Sequence, residues 1–406
     1  MASVNRFAII VSRFPKFTET FIVQELQGLQ DRGLQFELFS IIHETPEQLQ
    51  PEAADLDARA HYIEWRSREV LGAQWYWIRK NPAGYFQSWW TGFTTSWRSR
   101  EAILRFPLLV VLAAAMARRM ERLEVSHVHA HWATYPTLVA LCVKRLTGIG
   151  YSFTGHAFDI FSERSGLGTK VDEADLVLTC TDHGRGILQA VGTGPADRIQ
   201  TVHHGVRLET FKVVPLRERG RADPLRVLCV AALETYKGHE FLFHACADLV
   251  SRGLPIELTL VGDGELRNEL GDLARSLCLD VRFEGRQPSE RVRDWLEWCD
   301  CFSLASIQLP NGLMDGIPNV CVEALAMGRP VVASSLAGIR ELIIDGETGL
   351  LAEPRDASSL AAQLRRIASE PELVDRLVLG GRAKVETEHD AAVNLDEIYR
   401  LLSRLG

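Results

Sequence analysis

The chain has 406 residues, of which 46% are hydrophobic and 24% charged, and a net charge of −8. This is ordinary globular usage at a length suited to about two to three domains, and it excludes whole-chain disorder, collagen and coiled coil. The mildly acidic balance argues against a nucleic-acid partner, which would need a basic surface to neutralise phosphates. In chain order, Phe7–Val11 is an apolar run, Thr20–Leu29 sets Ile22, Leu26 and Leu29 on one helical face, and Phe36–Ile41 is apolar again. Apolar runs return at 126–130, 151–153, 176–180 and 199–202, with helical stretches such as 134–147 and 183–191 between several of them. Such alternation predicts a parallel sheet covered by helices on both faces.

Residues 206–224 are polar and basic, contain Pro215, Gly220 and Pro224, and show no period, so a linker is expected there. The strand–helix pattern then restarts, with apolar runs at 226–230, 256–261, 281–283, 300–305 and 331–334. The expected organisation is therefore an α/β N-terminal Rossmann-like domain over 1–205, a linker over 206–224, a C-terminal Rossmann-like domain over 225–385, and a last helix within 386–406. In such open sheets a ligand sits beyond the carboxyl ends of the strands, and two facing sheets would share an interdomain cleft.

Segment 61–122 breaks the pattern. It holds six of the nine tryptophans (65, 75, 77, 89, 90, 97), and its ten cations against four anions make it +6, leaving −14 for the rest of the chain. Aromatic rings among cations suit a membrane headgroup zone. The other reading is a helical insertion that packs its tryptophans as core. The longest apolar run, 106–117, is shorter than the ~20 residues of a membrane span. The N-terminus runs into its first strand with no charged-then-apolar leader, so a cytoplasmic location is expected. The eight cysteines have no zinc-type spacing and are expected to be reduced core residues.

The densest chemical signal is residues 306–351. Asp315 and Glu323 are eight apart, with Gly316, Ile317, Pro318 and Asn319 forming a turn that opens a helix near Val320. N–H groups at such a start favour an anion, and carboxylates can accept hydrogen bonds from vicinal sugar hydroxyls. A helix-entry cap and a surface acid remain the alternative reading. Lys237 lies between a strand and a helix starting near Gly238, where an ammonium could neutralise a leaving diphosphate. Gly262 and Gly264 follow another strand. His156 follows the run 151–153 and a Thr-Gly pair, and Asp159 either orients that loop or faces an acceptor. Thr18 and Thr20 lie at a helix start, as caps or as ligand contacts. His129 and His131 alternate along a strand without a clear third ligand, so no metal is expected.

The string GIPNVCVEALAMGRPVVASSLAGIRELI, with Asp315 before it, resembles the C-terminal signature of family 4 retaining glycosyltransferases of the GT-B fold. SRFPKFTETFIVQEL, HVHAHWA, YSFTGHAFDIF, VHHGVRLETF and LVGDGELRNEL are similar to the colanic-acid, exopolysaccharide branch of that family. The resemblance implies two Rossmann-like domains facing across a cleft and metal-independent retaining transfer of a hexose-type sugar, with no cofactor beyond a UDP- or GDP-sugar donor. The implied acceptor is a glycan or a polyprenyl-diphosphate-linked glycan, made at the inner membrane face with peripheral contact to anionic lipid. It gives Glu323 the nucleotide ribose, Asp315 and His156 the donor sugar, Lys237 the diphosphate, and the backbone of Gly262, Gly264 and 316–320 the nucleotide. Thr18, Thr20, Asp159 and Gly205 are implied substrate contacts, and Glu341 a structural residue. One departure stands out: Ala232 occupies the place of the usual arginine, so Arg13, Lys16 or Arg207 would have to compensate. Ala232 keeps open a catalytically silent partner subunit, and a nucleotide-sugar epimerase or hydrolase is a further alternative.

Overall fold

A computed structural model of the chain describes residues 6–16, 20–44, 51–220 and 222–405. The chain divides into two compact units, residues 1–202 with 395–406, and residues 203–394.

The first unit is built on a seven-stranded parallel sheet: β1 (Arg6–Phe14), β2 (Gln35–His43), β3 (His61–Tyr62), β4 (His127–His131), β5 (Gly150–Gly155), β6 (Leu176–Thr179) and β7 (Ile199–Thr201), in the order β3-β2-β1-β4-β5-β6-β7. In β1, Ile9 pairs with Leu38 on one side and His129 on the other. All five residues of β4 are buried, as a central strand covered on both faces requires. Its alternation puts His127, His129 and His131 on one face. There the Ser152 hydroxyl lies 3.0 Å from His127 Nε2 and 2.8 Å from His129 Nδ1, and the Thr154 hydroxyl lies 3.1 Å from His129 Nε2. Burial pushes the His127 imidazole down to about 4, so these rings are neutral structural links between β4 and β5.

The C-terminal residues 395–406 belong to this first unit. Ile398, Leu401 and Leu402 pack with Phe7, Leu29, Leu176 and Leu178, each such side chain contributing about 1.5–3 kcal/mol by leaving water.

The second unit has a six-stranded parallel sheet: β8 (Leu225–Val230), β9 (Ile256–Val261), β10 (Val281–Phe283), β11 (Cys301–Leu304), β12 (Val331–Ser334) and β13 (Leu350–Ala352), in the order β10-β9-β8-β11-β12-β13. The strand order reverses between β8 and β11. The polar stretch 206–224, expected as a linker, lies along this unit. Val214 N–H donates to Met327 O, the Arg217 guanidinium is 2.7 Å from Asp300, and the buried Arg329 guanidinium donates to the Val214 and Pro215 carbonyls. Lack of hydrophobic period concealed this, because polar bonds hold the stretch down. The eight cysteines form no disulfide.

Segment 61–122 forms β3 and then three helices, Arg68–Lys80, Pro82–Ser96 and Arg100–Arg122. Trp77 is buried and donates its indole N–H to Ala114 O at 2.8 Å, whereas Trp65, Trp75, Trp90 and Trp97 are exposed. The reading of these tryptophans as core is therefore corrected for four of the six. No described helix is long and apolar enough to cross a membrane.

Candidate active site

In the second unit, the loops leaving β8 and β11 begin side by side at the point where the strand order reverses, which is where open parallel sheets hold ligands. The β8 loop ends in the turn Thr235–Lys237, and Gly238 follows at φ 63°. A Cβ on Gly238 would lie 2.0 Å from Ala305 O, so only glycine lets this loop press against the end of β11. That approach brings together residues 78 apart in sequence: Lys237 Nζ donates to Asp315 Oδ1 at 2.6 Å. The Ser306 hydroxyl donates to the other Asp315 oxygen, and Lys237 Nζ lies 4.8 Å from the Tyr236 ring centroid. Burial alone would lower the Lys237 ammonium, but the Asp315 carboxylate outweighs it and holds the group above the ordinary lysine value. Lys237 is therefore a fixed cation at the switch point.

Beyond Asp315, the Gly316 backbone packs against Gly338, Ile317 and Pro318 lead into the helix Asn319–Ala326, and Val320 and Glu323 lie in its first turns. The Asn319 side chain hydrogen-bonds His204, whose imidazole burial pushes down to about 4. Glu323 is half-buried, and its carboxylate has no hydrogen-bond or ion-pair partner among the described residues. Desolvation raises its carboxyl to about 7. Gly262 and Gly264 follow β9 beside the β8 loop, where Leu233 N–H donates to Asp263 O at 3.1 Å and Gly262 N–H to Gly285 O at 2.8 Å. The Ala232 carbonyl lies 3.0 Å from His239 Nε2, and burial lowers the His239 imidazole, so this ring donates as a neutral group. Among the described residues, Lys237 is the cation on Asp315. Arg13 faces Glu44 at 3.7 Å, and Arg207 is exposed.

The first unit has its own constellation at the carboxyl ends of β4 and β5. His156 follows β5 and precedes the short helix Ala157–Phe161. Its ring sits 4.4 Å from Trp132, 5.3 Å from Phe21 and 6.1 Å from His131, centroid to centroid, and Cys180 Sγ is 3.6 Å from its Nδ1. Asp159 is fully buried. It accepts from the His156 N–H at 2.7 Å and from the Ala133 N–H, so its carboxylate orients the loops and both oxygens are engaged. Burial raises this carboxyl to about 7, against the pull of those N–H groups. Lys170, pushed down to about 8 by burial, donates to the Ala133 and Thr134 carbonyls at 2.7 and 3.0 Å. Trp132 has φ 79°, a left-handed backbone rare for a bulky residue, held by its N–H on Thr154 O and by the Thr137 hydroxyl on its carbonyl.

Thr18 lies outside the described residues, as does the Thr20 side chain. Gly205 packs against the Ala391 backbone, beside the Val206–Asp390 bridge. Glu25 was missed from sequence: it is buried, its Oε1 is 3.5 Å from His131 Nε2, and desolvation raises it to about 8. Its signal was an acid on the apolar side of the first helix. Glu25, His129 and His131 bring ligand-type atoms within 4.8 Å of one another, but the Ser152 and Thr154 hydroxyls already engage both nitrogens of His129. Ser306 was also missed, although a serine just after a strand at the switch point is a ready hydroxyl donor.

Residues 224–370 match the family described as glycosyl transferases group 1. The chain is 37% identical over 214 residues to the amylovoran biosynthesis glycosyltransferase AmsK of Erwinia amylovora, covering 52% of each. It is 32% identical over 234 residues to the putative colanic acid biosynthesis glycosyltransferase WcaL of Escherichia coli, covering 57% of each. The chain thus spans about half the length of the curated relatives it matches. Among solved structures, Anabaena Alr3699/HepE in complex with UDP-glucose superposes with a TM-score of 0.70 at 18% identity, over 98% of this chain and 99% of that one. The sucrose-phosphate synthase of Thermosynechococcus elongatus gives 0.70 at 20% identity, over 99% and 100%. These two likenesses concern the fold, and the matched segment holds Lys237, Asp315 and Glu323. By that segment the chain is similar to the group 1 glycosyl transferases, and its two Rossmann-like sheets give it the GT-B fold.

Proposed function

We propose that the protein transfers a hexose-type sugar, with retention, from a UDP- or GDP-sugar to a glycan or polyprenyl-diphosphate-linked acceptor in surface polysaccharide assembly. The second unit binds the donor and the first presents the acceptor. The observation that carries this reading is the Lys237–Asp315 pair at the β8/β11 switch point, on the same loop-and-helix segment as the half-buried Glu323. Glu323 accepts from the ribose hydroxyls, and Asp315 faces the donor sugar. The bond from the anomeric carbon to the diphosphate breaks, with its electron pair going to the diphosphate. The acceptor oxygen bonds to that carbon on the same face and passes its proton to a diphosphate oxygen. Lys237 and the N–H groups at Asn319 and Val320 hold the charge that develops on the leaving group, the work a divalent metal does in other transferases. His156, boxed by Trp132 and Phe21, has a fixed ring able to donate to a sugar hydroxyl. Relatives named for amylovoran and colanic acid biosynthesis, and a fold neighbour holding UDP-glucose, support the donor class and the pathway type. A lipid-linked acceptor places the work at the cytoplasmic membrane face.

A thermal-shift panel of UDP-, GDP- and ADP-sugars tests the donor site, since a ligand at 100 times its Kd adds about 2.7 kcal/mol of stability. One base class is expected to stabilise the protein, and Glu323→Ala to remove that shift. A stabilising nucleotide with no transfer to any acceptor would favour the silent subunit that Ala232 keeps open. Turnover of the nucleotide sugar without acceptor would favour an epimerase or hydrolase.

A further inference from the structure

The helix Pro82–Ser96 is built inside out. It buries Gly84, Ser88, Thr91, Gly92, Thr95 and Ser96, with Tyr85 as the one large residue of that face. Its solvent face carries Phe86, Trp90, Phe93 and, just past the helix, Trp97, at i, i+4, i+7 and i+11, with Phe86, Trp90 and Trp97 each more than half exposed. A helix of a water-exposed domain is expected to be the reverse, with its large apolar side chains inward. Two of the buried hydroxyls bond within the helix: Ser88 donates to Gly84 O at 2.9 Å and Thr95 to Thr91 O at 2.7 Å. The small face permits close seating, for a Cβ on Gly84 would meet Arg145 O at 2.1 Å. Small residues inward and aromatics outward are the arrangement of a helix whose outer surroundings are apolar.

The patch continues. Trp90 and Phe93 have ring centroids 6.1 Å apart, Phe93 and Phe106 6.4 Å, and Leu104 on the following helix is 82% exposed. Uncompensated cations lie on the same segment. Three of the segment's four acids are already held, Glu69 by Arg119, Glu101 by Arg105 and Glu121 by Lys80. Arg66, Arg79, Arg98 and Arg100 are exposed and have no ion-pair partner among the described residues, and the guanidinium groups of Arg66 and Arg98 sit over Trp65 and Trp97 at 4.3 and 5.0 Å.

We propose that this aromatic ridge is a docking face for an anionic phospholipid bilayer, its rings seated at the headgroup boundary and its free arginines on lipid phosphates. Charge selects this occupant over a second copy of the chain, which would bring a +6 segment against a +6 segment. The proposal deepens the reading of a lipid-linked acceptor and rests on it for its purpose, while its evidence is the inverted helix.

Sedimentation of the full chain with phosphatidylcholine vesicles, with and without phosphatidylglycerol, tests it. The protein is expected to co-sediment with the anionic vesicles at least tenfold better than with the neutral ones, with a blue shift of tryptophan emission and loss of binding as salt rises. Trp90→Ser with Phe93→Ser is expected to cut binding about tenfold while keeping the nucleotide-sugar thermal shift, which shows that the variant is folded. Arg98→Glu with Arg100→Glu is expected to abolish the preference for phosphatidylglycerol. Wild-type protein left in the supernatant with anionic vesicles would overturn the proposal, as would full binding by the aromatic variant. A concentration-dependent dimer that the aromatic variant abolishes would overturn it in favour of a second copy. Transfer without vesicle binding would sink the docking face alone, and vesicle binding without transfer from any nucleotide sugar would sink the proposed activity alone.

Discussion

The two sheets each gather polar side chains at the carboxyl ends of their central strands, but they treat them differently. In the first unit the protein supplies the partners itself: His129 is held between Ser152 and Thr154, Asp159 between two backbone N–H groups, and Lys170 on two carbonyls. In the second unit the Glu323 carboxylate has no partner among the described residues, and Lys237 is balanced by a single short carboxylate. Side chains tied down on both sides fix geometry, whereas an unpartnered carboxylate leaves bonding capacity for a ligand. The first cluster thus frames the loops around His156, and the second leaves a carboxylate open for the donor proposed above.

The contrast can be broken most sharply at Lys237. Lys237→Ala is expected to lower the transfer rate by roughly 10²–10³ while weakening nucleotide binding much less, as loss of one charge-stabilising donor does. Asp315 would then be left without its cation, so Lys237→Ala with Asp315→Asn should recover the melting temperature but not the rate. Wild-type kcat in the single variant would remove Lys237 from the chemistry. Asp159→Ala strikes the frame: the N–H groups of His156 and Ala133 each lose an acceptor, at about 1–3 kcal/mol apiece. Melting temperature and rate should fall together, unlike at Lys237.

Smaller effects sharpen the comparison. Glu323→Gln is expected to weaken nucleotide binding roughly tenfold, the scale of one charged hydrogen bond. Since burial lifts this carboxyl to about 7, wild-type affinity should drop as pH falls through that value, and the Gln variant should lose the inflection. Glu25 is read in stability and not in binding or rate. Its folded carboxyl titrates near 8 against an ordinary 4.5, so the folded state holds the extra proton and stability declines as pH rises from 4.5 to 8. Glu25→Gln should flatten that slope, and a denaturant series across pH measures it.

Much of this architecture was legible in the residues. Alternating apolar runs marked both sheets, and the string after Asp315 lies in the segment that matches the group 1 glycosyl transferases. What escaped had physical reasons. The Lys237–Asp315 contact joins two loops made neighbours only by the reversal of strand order, which a local pattern does not encode. The 206–224 stretch is held by guanidinium–carbonyl and guanidinium–carboxylate bonds and so carries no apolar period. The tryptophans read as core because aromatic spacing along a helix is the same whichever way it faces. Gly84, Ser88, Thr91 and Gly92 on the opposite side held the missing clue.

Trp132 occupies a backbone conformation that costs a bulky side chain on the order of 1–3 kcal/mol, and its indole meets His156 at 4.4 Å. The torsion is thus a loaded spring whose latches are the Thr154 carbonyl and the Thr137 hydroxyl. Releasing a latch, as in Thr137→Val, lets residue 132 relax toward right-handed geometry and carries the indole off the imidazole. Thr137, which touches no substrate in this scheme, is thereby expected to influence how steadily the His156 ring is held.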